Sequence, residues 1–420
     1  MLLLELGFYI FAFLLNFIFT FSAFIPKARW AYSSVLFDKK LYFSSGYKVN
    51  SPYREITNEF IYLDVSKPFS ITDNVSIPWF DLTYTGGPQK IESTACIGGQ
   101  NNNIIFVFGG SPSGQSFINV NQFDTSKNQW SNITFTGSAP TDRYSISCAK
   151  LNNGLIAIFS GDNDVLTIKN ELWIFNTLIL TWSISNATNA PPTRRDYCAI
   201  TLPNENILYI GGFSPDNSSF VFMPMNRLSL YNTKSDTWTN MSISDPTPSA
   251  RSSFSAVLTP NGRIIIFGGS DGTTVFGDLW ILDTSVYQWS KGNILNPIAG
   301  LTLDNHVATL VDDYMFIAFG RYAVNNYSSK IYMLNVSQED SYSWVTEFIP
   351  TTTVPNNTTT TIPSNTATTV SSNKKIGEIV GGVFGGLVLI FFIMMVFKKL
   401  YIAHRTNRQN ANKYTHEIPQ

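Results

Sequence analysis

Histidine, cysteine and charge are all scarce in this chain, and each shortage removes a class of function. Three histidines occur in 420 residues, and two of them, His404 and His416, fall in the last seventeen. His306 alone remains in the body of the chain, so no imidazole is spare as the base of a Ser or Cys nucleophile. One imidazole also falls short of the nitrogen-rich set that copper favours. Charged residues make up 14%, against about 25% in an average domain, and the net charge is −1. No basic stripe is present to neutralise phosphates, which excludes nucleic acid as the partner. Three cysteines cannot build a disulfide framework. Asp162-Asn163-Asp164 lacks the Gly and distal Glu of a twelve-residue calcium loop and reads as a solvated turn.

What the chain has instead is a sentence written six times. An apolar run ends in a Gly/Ser pair, a second ends in Asp or Asn, and a Trp follows. Phe108-Gly109-Gly110 goes with Phe123-Asp124 and Trp130, and Phe159-Ser160-Gly161 with Phe175-Asn176 and Trp182. Ile210-Gly211-Gly212 goes with Tyr231-Asn232 and Trp238, and Phe267-Gly268-Gly269 with Leu282-Asp283 and Trp289. Looser copies flank them: Ser45-Gly46, Asp64 and Trp79 in front, Gly320, Asn335 and Trp344 behind. Successive Trp spacings are 51, 52, 56, 51 and 55. A period near fifty with four short strands per unit predicts a radial array of sheets. In the unit from Arg251 to Ser290 the strands are expected at Ser253 to Leu258, Arg263 to Phe267, Asp278 to Leu282, and around Trp289.

Each repeated residue has a structural use. Glycine suits backbone at positive φ or pressed against a neighbouring sheet. Asp or Asn can accept from its own backbone two residues on and close a hairpin. Trp offers a large apolar area to wedge one sheet against the next.

These residues resemble the Kelch repeat, which opens on Arg and continues with aromatic-Gly-Gly and hydrophobic-Asp before its Trp. The resemblance covers Arg29 to Ile349, with Arg29, Arg143, Arg195 and Arg251 at unit starts. Unit two has no Arg near Gln89-Lys90, and unit six has Leu303 there and Gly320-Arg321 in place of the doublet. The family implies an all-β, six-bladed Kelch-type β-propeller of the secreted or membrane-anchored, fungal type. Each blade can be built from contiguous sequence, with strand one of the first at Trp30 and strand four of the last at Trp344, so no leftover strand to clasp the ring is obvious and its mode of closure is open. Galactose oxidase shares this propeller, but its copper site needs two histidines and two tyrosines, one crosslinked to cysteine. His306 alone cannot supply that set and is expected to pack in strand one, so this resemblance is one of fold only. Cys96, Cys148 and Cys198 fall on first strands, where small buried residues belong. An oxidising compartment would allow a Cys148–Cys198 bridge between neighbouring inner strands.

The termini suggest an address. Residues 1–23 read as a signal peptide, with an apolar run from Leu6 to Phe21 before Ser22-Ala23; an uncleaved anchor is the alternative, since Glu5 precedes the run and no Lys or Arg does. Residues 24–349 form the propeller, and 350–375 a Thr- and Ser-rich stalk. Residues 376–397 give a transmembrane helix and 398–420 a basic cytoplasmic tail that starts at Lys398-Lys399. The expectation is a single-pass type I protein of the plasma membrane or a secretory-pathway membrane, with the propeller extracellular or luminal. Sequons begin at Asn74, Asn132, Asn186, Asn217, Asn240, Asn326, Asn335, Asn356 and Asn357. Gly381 and Gly385 lie four apart in the span and permit close helix approach in a homodimer.

With no catalytic set, cofactor or metal expected, the leading reading is a non-catalytic module that binds a protein or glycan. The loops between strands two and three share a face with the blade-to-blade connections. Candidates there are Arg143, Arg195 and Arg251 as a partial ring for a carboxylate, with Tyr47, Phe213, Asp271 and Tyr322 after the glycine pairs. The bland role for such an Arg is to tie down the adjacent loop. Two alternatives differ in class: a surface carbohydrate-active enzyme with an unrecognised site, which carboxylates converging at the channel mouth would favour, and a structural wall-to-membrane tether.

Overall fold

The computed structural model describes residues 23–351, apart from 51–52, 113–115, 136, 164–168, 217–218 and 324–325. The leader, the stalk beyond its first two residues, the span at 376–397 with Gly381 and Gly385, and the tail lie outside the described residues, as do Asn217, Asn356 and Asn357. Among the described residues no helix is long and apolar enough to cross a membrane.

Six four-stranded antiparallel sheets follow one another along the chain. Their first strands are Ser33–Phe37, Thr94–Gly98, Cys148–Lys150, Cys198–Thr201, Ser255–Leu258 and Val307–Val311. Each touches the next and the last returns to the first, so the sheets are the blades of a closed six-bladed propeller. In blade five the strands are Ser255–Leu258, Arg263–Phe267, Leu279–Asp283 and Gln288–Lys291, within two residues of the expected bounds. The second strands, such as Ile104–Phe108 and Leu155–Phe159, are apolar on both faces because neighbouring blades cover both.

The repeated residues do what their chemistry suggests. In all six blades the Asp or Asn before the last hairpin accepts from the backbone N–H two residues on, from Asp64 and Ser66 at 2.8 Å to Asn335 and Ser337 at 3.0 Å. Each Trp leans on the preceding blade: Trp182 on Phe108 at 5.9 Å, Trp238 on Phe159 at 5.0 Å, Trp344 on Phe267 at 5.6 Å. Trp289 is 1% exposed and donates its indole N–H to the Met225 carbonyl of blade four at 3.0 Å. Burial of roughly 200 Å² per ring contributes on the order of 5 kcal/mol gross to each blade contact. Gly268 has φ +68°, and a Cβ there would stand 2.3 Å from the Leu303 carbonyl of the next blade.

Several features differ from expectation or go beyond it. Trp30 does not start the first inner strand. Arg29–Trp30 pairs instead with Tyr47–Asn50, which continues into Tyr53–Ile56 as a three-stranded ribbon above blade one. The ring's closure, open from sequence, uses a strand after the last blade: Glu347–Phe348 pairs with Phe69–Ser70 of blade one, and Phe348 packs on Phe69 and Phe316.

The disulfide joins Cys96 to Cys148, not Cys148 to Cys198, and ties the inner strands of blades two and three with Cα atoms 6.4 Å apart. Cys198 cannot reach Cys148 because its thiol is turned the other way, donating to the Phe254 carbonyl of blade five at 3.4 Å.

Candidate functional site at the channel mouth

Every unit enters its inner strand through three residues with three different fates. They are Arg29-Trp30-Ala31, Lys90-Ile91-Glu92, Arg143-Tyr144-Ser145, Arg194-Arg195-Asp196, Arg251-Ser252-Ser253 and Leu303-Asp304-Asn305. The first is buried in every blade. The second bridges to the residue after the Gly pair, as in Tyr144 with Asp162 and Arg195 with Phe213. The third has φ between +50° and +56° and borders the channel. Its N–H reaches back to the same position of the preceding blade: Glu92 to Ala31 at 2.7 Å, Ser145 to Glu92 at 2.9 Å, Asp196 to Ser145 at 3.0 Å.

This register reassigns the arginines. Arg143 and Arg251, each 1% exposed, turn inward. Arg143 donates to the carbonyls of Ser160 at 2.9 Å and Thr141 at 3.0 Å. Arg251 donates to the Gly268 carbonyl at 3.0 Å, pairs with Asp278 at 2.6 Å and lies 4.1 Å over the Phe276 ring. Their donors hold loops, so they do not form a ring around the channel with Arg195. The unit-opening residue of blade four is Arg194, which precedes Gly211 by the same seventeen residues that separate Arg143 from Ser160. Lys90 fills the place in blade two, giving its ammonium to the Gly109 carbonyl at 2.8 Å. Burial lowers its pKa to about 8.

Arg195, one step later, is on the face. Its guanidinium pairs with Asp162 and lies 4.5 Å over the Phe213 ring, which is 5.5 Å from Phe222. The segment after Gly212 is a β-hairpin, Phe213–Asp216 with Ser219–Phe222, where sequence suggested a loop. Blade six carries a third hairpin, Arg321–Ala323 with Asn326–Tyr327, which sequence did not reveal. Across the ring from blade four, Tyr47 stacks on Trp30 at 4.8 Å, Trp30 on Tyr327 at 5.8 Å, and the Arg54 guanidinium lies 5.0 Å from the Tyr327 ring. Tyr53 and Tyr322 stand out at 75% and 47% exposure. Asp271 closes its own loop by accepting from the N–H groups of Thr273 and Thr274 at 2.9 and 2.7 Å.

Between these aromatic groups lies a feature missed in the sequence. Glu92, Ser145 and Asp196 line the channel mouth together, and the Ser145 hydroxyl donates to Glu92 at 2.7 Å. Burial, reinforced by the Glu92 charge and opposed by Arg195, pushes the Asp196 carboxyl up to about 7. The channel below has a cavity of about 240 Å³, and an adjoining one of about 260 Å³ opens beside Tyr144 and Arg195. The signal that would have found the pair is position: an acid as third residue of the opening triple. His306 packs behind the wall, its Nε2 2.8 Å from the Ser255 hydroxyl, and burial lowers its pKa to about 3. No group of three or more His, Cys, Asp or Glu could hold a metal ion among the described residues.

Of the sequons, Asn74, Asn132, Asn186, Asn240 and Asn326 are exposed. Asn335 is half-buried, its amide oxygen accepting from both the backbone and the hydroxyl of Ser337.

Comparison with known proteins agrees with this architecture. The model of the KLHDC2/KLHL20/DRC7 Kelch-repeats domain matches residues 31–261 and 222–390. Acyl-CoA-binding domain-containing protein 4 of Arabidopsis thaliana is 24% identical over 51% of this chain and 33% of its own. Tip elongation aberrant protein 1 of Schizosaccharomyces pombe is 28% identical over 48% of this chain and 18% of its own. Kelch domain-containing protein 3 of Rattus norvegicus is 26% identical over 44% of this chain and half of its own. The chain thus spans no more than about half the length of these relatives. Kelch repeats commonly mediate protein–protein interaction, and the family is generally non-catalytic. With six blades built on the same repeat, the chain belongs to the KLHDC2/KLHL20/DRC7 Kelch-repeat family.

Proposed function

We propose that the chain is a cell-surface recognition module that binds a protein or glycan at the loop face of its propeller. The observation that carries this is the set of hairpins raised from blades one, four and six around one channel mouth, with Tyr53, Tyr322 and Phe213 upon them and Arg195 against Phe213. Aromatic rings next to polar groups stack equally on sugar rings and on peptide side chains. The Cys96–Cys148 bridge supports residence in an oxidising compartment, as do the exposed sequons and the apolar segments at either end. Export with a single type I span at 376–397 then puts the propeller outside and the basic tail inside, with Gly381 and Gly385 as a dimer contact. A structural tether is the weaker reading, because a tether has no use for three hairpins on one face.

An enzymatic reading gains something from the convergence of Glu92 and Asp196. Glycoside cleavage, however, needs both carboxyl groups free to face the scissile bond, and here the Ser145 hydroxyl already occupies Glu92. The arrangement suits binding better than bond cleavage.

The test has two arms. Glycan and protein arrays probed with the full-length chain should yield a ligand whose capture falls at least about ten-fold in a Tyr53→Ala, Arg195→Ala, Tyr322→Ala variant. Capture undiminished in that variant would remove the loop face from consideration. Treatment of the cell-derived protein with an N-glycosidase should lower its apparent mass; an unchanged mass would argue against the secretory route.

A further inference from the structure

We propose that the channel mouth holds one organic cation of the ligand, an ammonium or guanidinium, between the carboxyl groups of Glu92 and Asp196. The inference rests on the loop-face reading and narrows it to a charge class.

Charge comes first. The other acids near the mouth have cationic partners: Asp162 has Arg195, Asp304 has Arg321, and Glu59 has Arg29 and Lys48. Neither Glu92 nor Asp196 is ion-paired among the described residues. The one neutral hydroxyl beside them in the channel lining, that of Ser145, is given to Glu92. A hydroxyl has a single proton to give, so it satisfies one carboxylate, and the second must keep its own proton or find a cation.

The cavity is the second observation. Ser33 and Ser93, 3% and 7% exposed, line the same channel, and their hydroxyls have no hydrogen-bond partner among the described residues. Buried hydroxyls are ordinarily bonded. Acceptors without partners beside a carboxylate pair are what a multi-donor cation satisfies. A space of about 240 Å³ takes one such head group with a few waters.

The groups facing Asp196 give the direction of the pH effect. Glu92 and, more distantly, Asp304 hold its proton on, while Arg195 and the Ser145 hydroxyl favour the ion; the Cys198 thiol nearby stays neutral, with its pKa raised to about 12. An arriving cation displaces the Asp196 proton, so binding tightens as pH rises through about 7.

The experiment is calorimetric titration of the full-length chain at pH 8 with a short Gly-Ser peptide bearing a central arginine, and with the same peptide bearing neutral citrulline. The arginine peptide should bind about ten-fold or more tightly. That preference should weaken at pH 6, vanish in Glu92→Gln, Asp196→Asn, and persist in the exposed-acid control Asp313→Asn, in an opposite-face turn of blade six. Equal binding of the two peptides, including none of either, would overturn the inference, as would a preference surviving in the double variant. Should the double variant fail to fold, the wild-type pH dependence decides alone. Free agmatine binding as well as the peptide would assign the site to small cations, and weaker agmatine binding to a basic side chain; both outcomes support it. A ligand found at the face that shows no charge preference would remove this inference and leave the loop-face reading intact.

Discussion

Lys90 gives its ammonium to the Gly109 carbonyl at 2.8 Å, in the position where Arg143 and Arg251 give a guanidinium nitrogen to Ser160 and Gly268 at 2.9 and 3.0 Å. One blade in the ring therefore uses a point charge where others use a fork. Lysine pays more for burial than arginine does and fills fewer carbonyls. Lys90→Arg is expected to raise the melting temperature, and Lys90→Ala to lower it. The sign of the pH effect follows from the amine's depressed folded pKa of about 8. The folded state disfavours the charged amine, so Lys90 costs stability below that pH, and the cost fades between about 8 and about 10.5. The advantage of Lys90→Arg in differential scanning calorimetry should shrink from pH 7 to pH 9.5.

Asp196 works in the opposite sense. Its folded pKa of about 7 stands above the unfolded carboxyl, so its contribution is fully present below about pH 4 and is lost as pH rises through about 7. Asp196→Asn removes the titration. Its melting temperature relative to wild type should climb steadily from pH 4 to pH 8. A constant difference would mean that the carboxyl is solvated.

The disulfide closes a loop of 52 residues, for which chain entropy gives a stabilisation of about 3 to 4 kcal/mol. Cys96→Ser, Cys148→Ser should lose that much in urea unfolding. Non-reducing peptide mapping should recover Cys96 joined to Cys148, with Cys198 as the thiol. Cys198 should react slowly at pH 8 although it borders the channel, because burial raises its pKa to about 12.

Arg251 and Arg195 separate loop-holding from surface roles. Arg251→Ala leaves the Gly268 carbonyl without this donor and the Asp278 carboxylate without its cation, at a cost of about 3 kcal/mol. Arg195→Ala removes a side chain that is 21% exposed, against 1% for Arg251, and should cost less stability than Arg251→Ala while weakening ligand capture. Matched losses of stability in the two variants would contradict the register assigned to blade four.

The blade number and the roles of Asp283, Trp289 and Gly268 were legible because these residues act within a repeat, where local chemistry recurs at fixed spacing. Arg195 was misplaced by one residue because two arginines stand together there, and only the seventeen-residue distance to the Gly pair separates them. The fastening of Phe348 on Phe69 and the Cys96–Cys148 pairing depend on which way side chains turn between blades. Glu92 and Asp196 are about a hundred residues apart and meet only because the ring brings third positions together. No local pattern marks such a pair.

The most direct test of the account is photocrosslinking to its ligand from single sites on the two faces. A photoreactive residue at Tyr53 or Tyr322, on the hairpins, should capture the partner. One at Ile179, 66% exposed in the opposite-face turn of blade three, should not. Capture from Ile179 with silence at Tyr53 and Tyr322 would contradict the account.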